Sequence, residues 1–302
     1  MTLGIRERLR LLMAFGAGSC AAEELAAYAD GADGFERLMR DERFAENELV
    51  RRLRGVSAQQ LDGVLECCAA NGITLVTPEG GDYPERLRRI DDPPQLLFVL
   101  GDIGAVNRCH TAAVVGSRRA GNYSKSVTSW FVHEIAAKSG SRPANIISGF
   151  ARGIDRAAHL SALDAGAYTT AVLGCGLLFD YPTDSSEIKA RIAAHGAVVS
   201  EYLPYASPDR ESFRVRNRLI SGMSDCVLAV QAGRTSGALN TASHAAEQGR
   251  EVFVIPPADL FSPDYAGQTQ LLAEGASLAL TPSDIIGCFN DLDELYNLQG
   301  KF

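Results

Sequence analysis

Short apolar runs alternate with amphipathic segments along the central part of this chain. The apolar runs predict strands near residues 112–116, 145–148, 168–173, 197–200, 226–230, 252–255 and 277–280. Segments with a helical spacing of apolar positions lie near residues 122–139, 153–165, 184–195, 215–222, 236–249 and 267–274. Strands that alternate with helices of about 10–15 residues are typical of βαβ units. The pattern therefore predicts an α/β fold built on a parallel sheet.

The first seventy residues have a helical pattern with glycine-bearing turns. Ser57 has the position of an N-cap, and Gly72 follows the segment that it begins. We expect an all-helical domain over residues 1–72, acting either as an interaction module or as a packing appendage without a ligand. The α/β domain would then occupy residues 73–302 and end in a short helix, Pro282–Phe289, with Asp284 completing a capping box.

Four of the predicted strands lead into turns in which arginine lies close to glycine or serine. Parallel strands place these turns along one edge of the sheet, where doubly wound folds bind ligands. Glycine allows close backbone approach, helix N-termini attract anions, and arginine binds phosphate with two hydrogen bonds. The candidate ligand-binding residues are Gly116, Ser117, Arg118, Ser148, Gly149, Phe150, Arg152, Gly153, Arg214, Arg216, Asn217, Arg218, Arg234, Ser236 and Gly237. Together they predict a site for several phosphates.

Several classes of chemistry do not fit the sequence. The first turn, Gly116 to Gly121, does not have the spacing of a dinucleotide-binding loop, and the chain has no P-loop motif. The seven cysteines have no metal-ligand spacing, which favours reduced thiols. No pair of acids or nucleophile motif stands out. We therefore expect no cofactor, no metal, no catalytic residue and no enzymatic activity.

Charge is distributed unevenly along the chain. The net charge is −8, but residues 118–218 hold 13 basic and 9 acidic side chains, a net charge of +4. Residues 1–70 have a net charge of −3, from 9 basic and 12 acidic side chains. A basic centre between acidic flanks is compatible with a polyanionic ligand. No apolar run approaches the roughly 18 residues of a membrane span, and the N-terminus lacks a signal-peptide pattern, so we expect a cytoplasmic protein without membrane contact.

The central motifs resemble the DNA-processing protein A family, also called DprA or Smf. The motifs are Gly116-Ser-Arg118, Ser148-Gly-Phe-Ala-Arg-Gly-Ile-Asp155, Tyr181-Pro182, Ser200-Glu-Tyr202, Arg216-Asn-Arg-Leu-Ile-Ser-Gly222 and Ser236-Gly-Ala-Leu-Asn-Thr-Ala242. The resemblance implies an extended Rossmann-like domain that binds single-stranded DNA, and a sterile-alpha-motif-like domain over residues 1–72. The chain departs from the family pattern at Gln231, at Pro257 and at Gly267-Gln-Thr269. Only about twenty residues follow Thr281, too few for the winged helix of many members.

The resemblance also implies a cellular role and partners. Family members form homodimers, protect incoming single-stranded DNA and load the recombinase RecA onto it during natural transformation, so single-strand-binding protein is a further expected partner. Two alternatives are a nucleotide phosphoribohydrolase-like Rossmann enzyme, whose glycine-rich motif this chain lacks, and a small-nucleotide sensor. We expect the four arginine turns to contact phosphates. Phe150 either stacks on a base or packs beneath its turn.

Overall fold

The computed structural model describes residues 2–299, and a nine-stranded sheet forms its centre. The strands are β1 (Thr74–Val76), β2 (Leu97–Gly101), β3 (His110–Gly116), β4 (Ala144–Ser148), β5 (Tyr168–Leu173), β6 (Gly196–Ser200), β7 (Cys226–Gln231), β8 (Glu251–Val254) and β9 (Ser277–Leu278). Their order across the sheet is β1-β2-β6-β5-β4-β3-β7-β8-β9. The seven strands from β3 to β9 pair in parallel, which confirms the predicted α/β class.

Strands β1 and β2, which lie between the N-terminal helices and β3, extend this sheet through antiparallel pairing. β2 pairs antiparallel with β6, with Phe98 opposite Ser200, and β1 pairs antiparallel with β2. The sequence pattern does not determine their direction, because strand direction depends on the pairing partner and not on local side chains.

Helices precede the sheet and then cover both of its faces. The helices are α1 (Ile5–Phe15), α2 (Cys20–Ala29), α3 (Ala32–Arg40), α4 (Glu48–Arg54), α5 (Ala58–Ala70), α6 (Ala105–Arg108), α7 (Asn122–Lys138), α8 (Ile154–Asp164), α9 (Ser186–Ala194), α10 (Arg210–Gly222), α11 (Gly237–Glu247), α12 (Ala266–Ala273) and α13 (Pro282–Gln299). On one face, Val115 packs with Leu219 of α10. On the other face, Val114 packs with Phe131 of α7. Burial of both faces explains why the strands are continuous apolar runs.

The N-terminal helices pack against the sheet. Leu9 of α1 and Leu61 of α5 belong to the same hydrophobic cluster as Phe98 and Leu173. Arg8 is buried and forms an ion pair with Glu79 at 2.7 Å. The helical segment therefore shares part of its core with the sheet, and the division into two domains at residue 72 stays a prediction.

Helix α10 begins earlier than the pattern indicates. The apolar spacing predicted a helix over residues 215–222, whereas the structure begins it at Arg210. Asp209 caps it: its carboxylate accepts a hydrogen bond from the Ser212 amide at 2.6 Å, and the Ser212 hydroxyl accepts one from the Asp209 amide at 3.0 Å. The capping box adds a turn and a half that carries Arg210 and Arg214.

The last helix is also longer than predicted. One half of the expected capping box is present, since the Asp284 carboxylate accepts a hydrogen bond from the Thr281 amide at 2.8 Å, whereas the Asp284 amide donates to the Thr281 carbonyl and not to its hydroxyl. The helix continues beyond Phe289, which stacks on His110 with a centroid distance of 4.7 Å. It therefore covers the start of β3.

Candidate nucleic-acid interface

A wide cleft lies at the carboxyl ends of the central parallel strands. Its volume is about 1210 Å³, and its walls come from the turns after β3 and β7, the first turns of α10, and the segment before α12. The predicted residues that line it are Gly116, Ser117, Arg118, Arg214, Arg216, Asn217, Arg234, Ser236 and Gly237. The structure thus brings together the first, third and fourth arginine turns.

The turn after β3 is held by hydrogen bonds to the end of β7. The Ser117 amide donates to the Gln231 carbonyl at 2.8 Å, and the Gly121 amide donates to the Gln231 side-chain oxygen at 3.2 Å. The Arg119 amide donates to the Ser117 hydroxyl at 3.1 Å. These bonds use the backbone of the turn and leave the side chains of Arg118 and Arg119 exposed.

An aromatic pair lies among the arginines of the cleft. Phe213 and Tyr181 both line it, with their ring centroids 5.3 Å apart. The guanidinium carbon of Arg118 lies 5.0 Å from the Phe213 centroid, and that of Arg216 lies 5.7 Å away. Cations over an aromatic face stabilise both the ring position and the charge. The cleft therefore offers apolar rings beside cationic groups.

Arg216 forms the floor of the cleft. It is 4% exposed, and its guanidinium donates to the carbonyls of Gly149, at 2.7 Å, and Val172. Burial lowers the pKa of Arg216 to about 10, and the carboxylate of Asp155 partly opposes this effect. Burial raises the pKa of the Asp155 carboxyl, against the attraction of Arg216. Arg216 thus organises the floor and has fewer donors left for a ligand.

Glycine is required between Arg216 and Asp155. A Cβ atom at Gly149 would lie 2.8 Å from both Nη2 of Arg216 and Oδ2 of Asp155. The second turn is also locked to the first, because the Ile154 amide donates to the Ser117 carbonyl at 3.2 Å. Gly153, with φ of +83°, would place a Cβ only 2.1 Å from that same carbonyl oxygen. These two glycines therefore serve close backbone packing and do not line the cleft.

Other residues of the second turn also lie outside the cleft. The Ser148 hydroxyl is buried and donates to the Val114 carbonyl at 2.6 Å. Arg152 is exposed but is not part of the cleft wall. Both were expected to contact the ligand, and neither lines this cleft.

Phe150 packs beneath its turn. It is 5% exposed, has a left-handed φ of 60°, and belongs to a hydrophobic cluster with Leu173. Its ring lies 6.0 Å from that of His159, which is itself buried. The packing alternative is therefore the one observed, and a base-stacking role for Phe150 does not fit the structure.

Arg218 was expected to contact a phosphate, but the structure buries it. It is 3% exposed and lies between two carboxylates: Nη1 is 2.8 Å from Glu201, and Nε is 2.6 Å from Asp92. These carboxylates raise the pKa of Arg218 despite its burial. Because its charge is already neutralised, Arg218 stabilises the fold and is not available to a phosphate.

Two further arginines of the cleft were not among the predicted residues. Arg119 follows Arg118 in the same turn, and Arg210 lies in the first turn of α10. Arg119 could have been predicted from its position, since Arg118 and Arg119 are neighbours in the turn that follows β3. Arg210 depended on the helix start, for which Asp209 and Ser212 were the available signal.

The cleft has an excess of positive charge. It is lined by six arginines and three aspartates. Five of these arginines are exposed, and none of the five forms an ion pair with a carboxylate of residues 2–299: they are Arg118, Arg119, Arg210, Arg214 and Arg234. Clustered cations without counter-charges repel one another, and a polyanion relieves that repulsion.

Comparison with known proteins identifies the family. Residues 74–290 match the sequence profile described as DNA recombination-mediator protein A. The chain belongs to this family. The DNA processing protein DprA of Bacillus subtilis is 35% identical over 78% of this chain and 76% of its own length. Protein Smf of Escherichia coli is 38% identical over 70% of this chain, which spans 55% of that relative.

Solved structures of DprA proteins share this fold. The structure of DprA from Streptococcus pneumoniae aligns with a TM-score of 0.81 and 27% identity, covering 95% of this chain and 98% of that one. DNA processing protein A from Helicobacter pylori aligns with a TM-score of 0.63 and 32% identity, covering 72% of this chain and 96% of that one. The latter structure is described as showing a single-stranded DNA binding mode.

Departures from the DprA pattern lie beside the cleft and have structural roles here. Gln231 supports the first turn through Gly121, as described above. Gly267 approaches the fourth turn so closely that its Cβ would lie 2.7 Å from the Gly233 carbonyl. The Gln268 amide donates to the carbonyls of Val230 at 2.9 Å and Ile255 at 2.7 Å. These contacts anchor the first turn of α12 to the ends of β7 and β8.

The described part of the chain has neither a metal-ligand cluster nor a membrane-spanning helix. Residues 2–299 contain no cluster of three histidine, cysteine or acidic side chains arranged to hold a metal ion. No helix within the same range is long and apolar enough to cross a membrane.

Proposed function

We propose that this chain binds single-stranded DNA along the arginine-lined cleft. The observation that carries the proposal is the group of five exposed arginines, without ion pairs inside residues 2–299, in one cleft beside a partly exposed aromatic pair. Proteins that bind single strands combine a cationic groove with rings on which bases stack. Membership of the recombination-mediator family and the likeness to the Helicobacter pylori protein support the same ligand.

The geometry suggests a role for each group. Arg118, Arg119, Arg210, Arg214 and Arg234 contact phosphates, because their guanidinium groups are exposed and form no ion pair within residues 2–299. The start of α11 adds a positive helix end, where the Ser236 hydroxyl already caps the Ala238 amide at 3.3 Å.

Bases stack on Phe213 and Tyr181 in place of Phe150. Both rings line the cleft, whereas Phe150 is buried. Base faces are available in a single strand and covered in a duplex, so stacking favours single-stranded DNA.

The finer biological role follows the family resemblance. We infer that the chain protects incoming single-stranded DNA and loads RecA onto it during natural transformation, as a homodimer and on strands coated by single-strand-binding protein. It acts by assembly, without catalysis and without a cofactor. Support comes from the family description as a recombination mediator and from the uncommitted arginines, which suit binding more than bond cleavage.

Binding across a salt series tests the proposed ligand. Fluorescence anisotropy would compare a labelled oligothymidylate with a duplex of equal length for the wild type, Arg118→Ala and Arg214→Ala. Each lost phosphate contact should weaken binding and reduce the log–log salt slope by about 0.7. The matched control is Arg51→Ala, which removes an exposed arginine of α4 far from the cleft wall.

Three results would argue against the proposed function. Equal affinity of the wild type for duplex and single strand would remove the strand preference. Unchanged affinity in Arg118→Ala and Arg214→Ala would remove the site. Release of free base from a nucleoside monophosphate would instead favour the phosphoribohydrolase-like alternative.

A further inference from the structure

An exposed apolar loop lies at one end of the cleft. Phe261 is 96% exposed and Leu260 is 71% exposed. Both side chains are large and apolar, so leaving them in water forgoes the stabilisation that burial would give. The loop leads directly into Pro263 and Asp264, which line the cleft. Phe261 is therefore two residues from the cleft wall.

The loop has an ordered conformation. The Phe261 amide donates to the Asp259 carboxylate at 2.9 Å, and the Asp264 amide donates to the Ser262 hydroxyl at 3.3 Å. Pro256 and Pro257 restrict the backbone where the loop leaves β8. Downstream, the Gln268 side chain ties the segment to the carbonyls that end β7 and β8. The backbone that carries Phe261 is therefore constrained, so little backbone entropy is lost when a ligand covers the ring.

The position of Phe261 complements that of the aromatic pair. Tyr181 follows β5, and Phe261 follows β8. These strands are four positions apart in the sheet, about 19 Å at the usual strand spacing. The uncommitted Arg118 and Arg234 lie in the turns after β3 and β7, which come between β5 and β8 in the sheet. Cationic groups are thus flanked by aromatic rings on both sides.

We propose that Phe261 stacks on a base of single-stranded DNA at the β8 end of the cleft, with Leu260 packing against the same nucleotide. This inference rests on the proposed function and adds a second stacking position to it. The occupant is a nucleotide base because the neighbouring groups bind phosphates. A strand whose backbone follows the arginines would place its bases within reach of the cleft rim.

Abasic DNA separates stacking from phosphate contact. Binding would be measured for oligothymidylate and for an abasic oligonucleotide of the same length, using the wild type, Phe261→Ala, Phe261→Trp and Arg118→Ala. Phe261→Ala should weaken oligothymidylate binding at least fivefold, leave the salt slope unchanged, and leave abasic binding unchanged. Phe261→Trp should retain wild-type affinity. Tyr28→Ala, which removes an exposed aromatic of α2, is the matched control.

The possible outcomes are distinguishable. Wild-type affinity in Phe261→Ala, or an equal loss on both oligonucleotides, would overturn the stacking position while Arg118→Ala still tests the cleft. If Phe261→Ala binds DNA normally but no longer stimulates RecA assembly, the loop contacts protein and the inference is wrong. If the wild type binds neither oligonucleotide, the proposed function fails and this inference fails with it. Phe261 is nearly fully exposed, so its replacement should not unfold the protein.

Discussion

Arginines of helix α10 lie in contrasting environments although they are close in sequence. Arg214 is exposed in the cleft, Arg216 donates to buried carbonyls, and Arg218 is neutralised by Glu201 and Asp92. A buried guanidinium requires partners because its desolvation costs several kcal/mol. At this scale, charge and burial decide whether an arginine contributes to stability or to ligand binding.

Replacing Arg218 should mainly affect stability. In Arg218→Ala the buried carboxylate of Glu201 loses its partner, and we expect the free energy of unfolding to fall by roughly 3 kcal/mol. Denaturant unfolding would measure it. Arg214→Ala, on the same helix but exposed, should change stability by no more than about 0.5 kcal/mol. Equal stability of the two variants would contradict the structural role assigned to Arg218.

His159 predicts an acid-sensitive contribution to stability. Burial lowers the pKa of His159 to about 3, and its Nδ1 lies 2.7 Å from the Thr169 hydroxyl. In the unfolded chain the histidine pKa is near 6.5, so between about pH 6.5 and 3 His159 is protonated in the unfolded chain and neutral in the folded one. Stability from this residue is therefore complete above about pH 6.5 and falls as the pH decreases from there towards 3.

A variant that lacks His159 alone would isolate that effect. Between pH 6 and 4, His159→Gln should show a dependence of unfolding free energy on pH that is shallower by up to about 1.4 kcal/mol per pH unit. Parallel dependences in the two proteins would show that His159 accepts a proton in the folded state.

At the scale of elements, the cleft depends on turns that pack backbone to backbone. The second turn contributes only Ala151 to the cleft lining, yet its Gly153 lies against the Ser117 carbonyl of the first turn. The second turn therefore positions the turn that carries Arg118. The side chains that line the cleft and the turn that supports them therefore come from different parts of the chain.

Gly153→Ala should disturb this support. The left-handed φ of +83° and the 2.1 Å approach to the Ser117 oxygen both oppose a Cβ atom. We expect the free energy of unfolding to fall by about 1–3 kcal/mol and oligonucleotide binding to weaken. Gly121→Ala is the matched control, because Gly121 has φ of −70° and open space around its Cβ position. A Gly153→Ala protein with wild-type stability and binding would refute the supporting role.

At the scale of the whole molecule, charge is divided between an acidic N-terminal helical segment and a basic cleft. Residues 1–70 have a net charge of −3 and pack on the sheet through Leu9 and Leu61. Under the proposed function, an acidic surface repels DNA and stays available for protein contacts while the cleft binds the strand. This separation suits a protein that presents DNA to a partner.

The proposed assembly gives a prediction at this scale. We expect a dimer in solution and faster RecA filament formation on strands coated by single-strand-binding protein. Sedimentation would measure the first and a RecA assembly assay the second, with the Arg118→Ala variant showing reduced stimulation because it holds DNA less well. A monomer at micromolar concentration, or RecA assembly unchanged by stoichiometric protein, would count against this role.

Much of the framework could be predicted from local patterns. Continuous apolar runs identified the parallel strands, because both faces of such a sheet are buried. The glycine and serine turns identified the edge of the sheet where the cleft lies, because parallel strands end together at that edge. Arg118, Arg214 and Arg234 were found in this way, and the structure places them in one cleft.

The tertiary structure alone decided which candidates face the cleft. Phe150 and Arg218 were predicted on the same grounds as Arg118 and Arg214, yet the first two are buried and the last two line the cleft. Burial depends on neighbours that are distant in sequence: Asp92 and Glu201 surround Arg218 from 126 and 17 positions away. Local spacing determines the direction in which a side chain leaves its helix or turn. The elements packed against that direction determine whether it meets solvent, a counter-charge or a ligand.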